Sequence, residues 1–224
     1  MGIGIFFIAL VSIFFVYMYR KGKINRRTEF INSYRFPMAI QRKLGEQYPG
    51  LNKKQIKQVL DTLKVFFHIS NNRKKHSIAM PSQVVDFAWH EFILFTKNYQ
   101  KFCSTGLGYF LHHTPTEAMA SATQAQESIK NAWNLACVRE GIDPKNPSKI
   151  PMLFAIDNEL NIEDGFIYVK NCNSKSSSTY ATGFCVNHIN CSTGTSSGVS
   201  LSDVFESGNT DSGCSSCSSC GGGD

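Results

Sequence analysis

In the stretch VVDFAWHEFILF, Asp86 and His90 stand four residues apart, which puts both side chains on one face if the segment is helical. A carboxylate beside an imidazole can orient a histidine that binds metal through its other nitrogen, or tune it as a general base. His112 and His113 follow in YFLHHTP, and neighbours in extended chain point in opposite directions, so one of the two turns toward His90. Cys103 lies between these groups, and Cys with His suits zinc or another transition metal. Asp86, His90, Cys103, His112 and His113 therefore form a candidate metal site. The spacing is not that of a zincin, which needs two histidines with a glutamate between them; here Asp86 takes the first place and Glu91 follows His90. The structural alternative is an interior His90 satisfied by Asp86, a histidine pair that fixes a turn, and Cys103 as a small buried apolar group.

A second constellation closes the chain, where SGCSSCSSCGGGD spaces Cys214, Cys217 and Cys220 by three. Two-residue gaps let thiolates converge on one ion, as in zinc or iron–sulfur sites, with Cys172, Cys185, His188 or Cys191 available to complete the set. Disulfide redox chemistry, cysteine acylation beside a membrane, or a tail without chemistry are the alternatives.

The elements that must position these groups read as helices. Phe36, Ile40, Leu44 and Tyr48 form an apolar stripe on a short helix begun by Pro37 and stopped at Pro49 and Gly50. Asn52 caps a second helix carrying Ile56, Leu60, Leu63 and Phe67 on one face. The polar loop SNNRKKHS separates it from a third helix, from near Pro81 to about Phe102, apolar around most of its circumference with Val85, Trp89, Phe92 and Tyr99 on one stripe and Phe87 and Leu94 on another. Such a helix belongs in the middle of a bundle. Thr114, Pro115 and Glu117 supply a cap, a first-turn proline and a capping-box acid for a fourth helix ending near Gly141. MLFAIDNELNIEDGFIYV then reads as a short helix or turn and a brief extended segment folded back on the bundle.

The ends differ from this middle. Ile3 to Tyr19 is apolar and uncharged, and with Met1 and Gly2 would extend roughly 28 Å as a helix, close to the thickness of a bilayer's hydrocarbon layer. The basic cluster Arg20, Lys21, Lys23, Arg26 and Arg27 follows it, where a cleaved signal peptide would place such charge in front; the expectation is a single uncleaved span, N-terminus outside, with the rest cytoplasmic. Arg20 to Met80 holds 15 Lys and Arg against 3 acids, a charge that suits anionic lipid. No recognition motif or base-stacking pattern accompanies it, which argues against nucleic acid. A reducing compartment makes the 8 cysteines thiols or ligands rather than disulfides. Of the 54 positions from 171 to 224, 33 are Ser, Thr, Gly or Asn, too few large apolar groups for a core, so disorder is expected.

VVDFAWHEFILFTKNYQKFC followed by GYFLHHTP resembles the helical domain of the glycine-rich-domain-containing protein-like family, as in a bacterial membrane-anchored member, over roughly residues 80 to 165. The resemblance implies a mainly helical domain, marks Asp86, Trp89, His90, Tyr99, Cys103, His112, His113 and Pro115 as signature residues, and brings no reaction with it.

The sequence expectation is thus a mainly α protein: a transmembrane helix at 1–19, a basic juxtamembrane linker at 20–35, a small helical bundle at 36–170 and a Ser/Gly/Cys-rich tail at 171–224. Its leading functional reading is a membrane-anchored cytoplasmic interaction or scaffold protein, binding an unidentified protein partner. The alternative is a metal-binding protein or metal-dependent enzyme using Asp86, His90 and His112 or His113, with zinc as the type of ion. No P-loop, dinucleotide-binding glycine pattern or nucleophile with its base is present, which turns the reading away from the common enzyme classes.

Overall fold

The apolar periodicities close on one core, drawn from α1 (Gly2–Ser33), α2 (Met38–Gln47), α3 (Lys53–Asn71), α4 (Gln83–Leu94), α5 (Thr96–Phe102), α6 (Ala122–Glu140) and α7 (Met152–Glu159). The computed structural model describes residues 2–71, 77–113, 122–170, 184–186 and 189, with the backbone alone for 2–5, 122, 123, 184 and 185. The chain is mainly α, as expected, and the helices pack as a bundle around α3, which touches α1, α2, α4, α6 and α7.

Local chemistry explains these boundaries. Asn52 Oδ1 accepts from the Lys54 and Gln55 amides at 2.9 and 3.1 Å, and Gln55 returns the bond by accepting from the Asn52 amide at 2.9 Å, a reciprocal cap for α3. Its Leu60, Leu63 and Phe67 are buried beside Phe66, giving α3 the wide apolar face of a central helix. α6 stops at Gly141, where the Ile142 amide turns back to the Cys137 carbonyl at 2.9 Å.

The single helix expected from Pro81 to Phe102 is three pieces. α4 ends at Phe95 (φ −81°, ψ 60°), α5 runs to Phe102, and a π-helical turn, Cys103–Leu107, follows. With no proline or glycine at the break, periodicity alone reads the two helices as continuous. The bend keeps Phe92, Tyr99 and Phe102 buried but leaves Leu94, expected on a core stripe, 71% exposed. The π turn closes with the Gly108 amide on the Cys103 carbonyl at 2.7 Å, and Gly108 takes φ +77°, a conformation that costs an L residue. Gly106 lies against Phe30 and Ile31, so the end of α1 rests on this turn.

α4 starts at an anion site built from the chain itself. Ser82 Oγ accepts from the Val85 amide at 3.3 Å and donates to Asp157 Oδ1 at 2.6 Å. The buried Asp157 carboxylate also accepts from the amides of Gln83 (2.7 Å), Val84 (3.3 Å) and Phe166 (3.0 Å). A carboxylate from α7 thus satisfies the orphan N–H groups and the positive end of α4.

At the far end, Tyr168–Val169 (β1) pairs in parallel with Phe184–Cys185 (β2), and Val186 and Ile189 are buried in the core. Part of the expected disordered tail therefore returns to the bundle, at Phe184, Cys185, Val186 and Ile189, where apolar residues interrupt the Ser and Thr runs.

α1 runs without a break from Gly2 in the expected span to Ser33, two residues short of the end of the basic linker. Among the described residues no helix is long and apolar enough to cross a membrane, so the transmembrane helix expected over residues 1–19 is not found there. The described apolar side chains begin at Phe6 and give way to Arg20, Lys21 and Lys23.

Candidate metal centre

Two elements bring the candidate ligands together. Asp86 and His90 lie on successive turns of α4, whose register is fixed by the Asp157 anchor and by the Asp86 amide donating to the Ser82 carbonyl at 2.9 Å. His113 arrives from the segment after the π turn. His90 Nδ1 stands 3.1 Å from Asp86 Oδ2, and His113 Nε2 stands 3.0 Å from Asp86 Oδ1. The imidazole rings themselves are 4.1 Å apart between centroids.

His113 Nε2–H donates to Asp86 Oδ1 and His90 Nδ1 lies within ion-pair distance of Asp86 Oδ2, so both rings face one carboxylate. The ligand atoms of Asp86, His90 and His113 all lie within 4.8 Å of one another. A zinc ion with bonds of about 2 Å holds its ligand atoms roughly 3.3 Å apart, so these three need only small adjustments to share one. Two imidazoles and a carboxylate are also the donor set of open non-heme iron(II) sites. The His113 side chain is 16% exposed and that of His90 50%, which leaves the His90 side open to solvent. Such a three-ligand site keeps coordination positions for water or another small ligand.

The other candidates stay apart from this group. Cys103 is buried beside Tyr99, and burial pushes its thiol up, although hydrogen bonds with the Leu111 backbone and Tyr99 hydroxyl partly oppose the shift. A thiol held protonated in this way is a poor ligand. His112 is exposed and its ring lies 4.8 Å from that of Phe110. The alternation expected of adjacent histidines thus sends His113 inward and His112 outward. Cys214, Cys217 and Cys220, with Cys172, His188, Cys191 and the Thr114, Pro115, Glu117 cap, lie outside the described residues.

Asp157 is the residue that sequence reasoning passed over. Its signal was faint: an acid directly after the apolar run LFAI, where a charge has to find partners once buried.

The pattern of the UCP032817-like family matches residues 26–189. The chain belongs to that family. This corrects the resemblance to the glycine-rich-domain-containing protein-like family. That resemblance rested on roughly residues 80 to 165, whereas the UCP032817-like match takes in the end of α1, all of α2 and α3, and the chain up to Ile189. The residues that carried it, Asp86, Trp89, His90, Tyr99, Cys103, His112, His113 and Pro115, all fall inside the longer span that the UCP032817-like match covers. No curated protein and no solved structure matches this UCP032817-like chain.

Proposed function

We propose that this protein is a metal-binding helical bundle held at a membrane, with Asp86, His90 and His113 as the ligands of one transition-metal ion such as zinc. The observation that carries the reading is the convergence of His90 Nδ1 and His113 Nε2 on the two oxygens of Asp86. One divalent ion in place of the proton between His113 and Asp86 would draw both imidazoles and the carboxylate onto a common centre and leave the His90 side free for a water ligand. Residues 27 apart in sequence meet here, so the cluster is a product of the fold rather than of helical spacing alone.

The membrane part rests on α1. Every residue from Phe6 to Tyr19 is exposed, and Ser12, the one polar side chain there besides the phenols of Tyr17 and Tyr19, donates to the Ile8 carbonyl at 2.8 Å. A stretch largely apolar around its circumference, with its serine satisfied internally and its two tyrosines at the basic end, suits lipid better than water. The exposed Arg20, Lys21 and Lys23 that follow suit anionic headgroups on the cytoplasmic side.

Elemental analysis of the full chain purified in detergent tests the metal site. The expected result is one transition-metal ion per chain, lost in both His90→Ala and His113→Ala. A folded wild-type chain that neither retains metal nor takes up added zinc removes the site and leaves a tethered interaction bundle.

A further inference from the structure

The segment that delivers His113 is neither helix nor strand, so something other than a backbone ladder has to set its position. Tyr99 does this from the interior. Its hydroxyl donates to the Leu111 carbonyl, two residues before His113, and accepts from Trp89 Nε1 at 3.1 Å, one residue before His90. The Trp89 and His113 ring centroids lie 4.6 Å apart, and the Phe110 and Tyr99 rings meet in a T-shape with centroids 5.4 Å apart. One buried hydroxyl is thus tied to the helix that carries His90 and to the segment that carries His113.

We propose that Tyr99 is the positioning residue of the Asp86, His90 and His113 metal centre, fixing His113 against α4 without touching the ion. The proposal rests on the metal-binding reading above. Burial and the hydrogen bonds to Leu111 and Trp89 hold the Tyr99 ring, and burial drives its hydroxyl pKa upward, so it stays a neutral donor. Outer partners of this kind orient metal ligands, and their loss commonly weakens binding about 10- to 100-fold.

Zinc affinity of the full chain in detergent, measured against a chromophoric chelator, tests it with Tyr99→Phe. The ring still fills its space but the tie to Leu111 is gone. The expected result is a Kd raised about 10- to 100-fold in a chain with wild-type helicity. Leu63→Ala, a core truncation in α3, should lower the melting temperature and leave the zinc Kd unchanged. Tyr99→Phe binding zinc like wild type overturns the positioning role and spares the metal site. A wild-type chain that takes no zinc overturns the proposed function and this role together. A second measurement needs no metal: the imidazole nitrogen resonances of His113 should broaden or multiply in Tyr99→Phe while those of the distant His68 stay put, and unchanged His113 signals overturn the proposal.

Discussion

Asp157→Asn asks how much of the bundle hangs on one buried carboxylate. The carboxylate accepts four hydrogen bonds, from Ser82 Oγ, from the amides of Gln83 and Val84 in the first turn of α4, and from the Phe166 amide. An asparagine keeps the shape but offers one acceptor oxygen. Its NH2 group would face donors that have no other use for it. Bonds to a charged acceptor contribute about 1.5–3 kcal/mol each, and the negative charge at the α4 N-terminus adds up to about 2 kcal/mol. These terms share atoms and do not add, so a net loss of about 3 kcal/mol is the working figure. For a chain of this size that lowers the melting temperature by roughly 6–12 °C, read by circular dichroism at 222 nm. Gly165 makes relaxation harder, because the backbone passes so close to Asp157 that a Cβ there would stand 2.7 Å from its Cβ. A melting temperature within about 2 °C of wild type would refute the view that this carboxylate anchors α4.

Two further outcomes follow from the same structure. His68 Nε2 donates to Asn32 Oδ1 at 2.6 Å, and burial, helped by the positive charges of Arg139 and Lys64, pushes the ring down to about 4. Above its ordinary value near 6.5 the ring is neutral in both states; as pH falls from about 6.5 toward 4 the unfolded chain gains a proton that the folded one refuses, and stability drops. With the solvent-reachable edge of the ring discounting the effect, the loss by pH 5 is about 1 kcal/mol. His68→Gln, which keeps a donor for Asn32, should flatten the melting temperature over pH 6.5 to 5, and an unchanged slope counts against the assignment. Gly108→Ala should cost about 1–2 kcal/mol, because φ +77° strains any residue with a Cβ and the Arg27 guanidinium must move aside. Chemical denaturation that shows no shift would mean the π turn is free to rearrange.

How much of this was legible follows from what sequence separation each feature spans. The stripes Ile40 and Leu44 in α2 and Leu60, Leu63 and Phe67 in α3 are local, and they fold as their spacing reads. The Asn52 cap is local too, three residues from its partner Gln55. The break at Phe95 left no mark, since nothing in FILFTKN stops a helix; it is imposed by packing, which keeps Phe92, Tyr99 and Phe102 against one core. Asp157 reaches 74 residues back to Gln83, a distance at which periodicity says nothing.

The candidate centre sits between these cases. Asp86 and His90 were readable as a pair from helical spacing, and alternation at His112 and His113 says that one of the two turns inward. Which one does so depends on the phase of the chain leaving the π turn, and that phase is set by the Gly108 left-handed bend and by the Tyr99 grip on Leu111. Cys103 shares the neighbourhood because it belongs to that same grip, not because it faces the carboxylate. The clustering of Asp, Trp, His, Tyr, Cys and His in one stretch therefore has two causes. Three residues converge on a point an ion can occupy, and the others hold the two converging elements in phase.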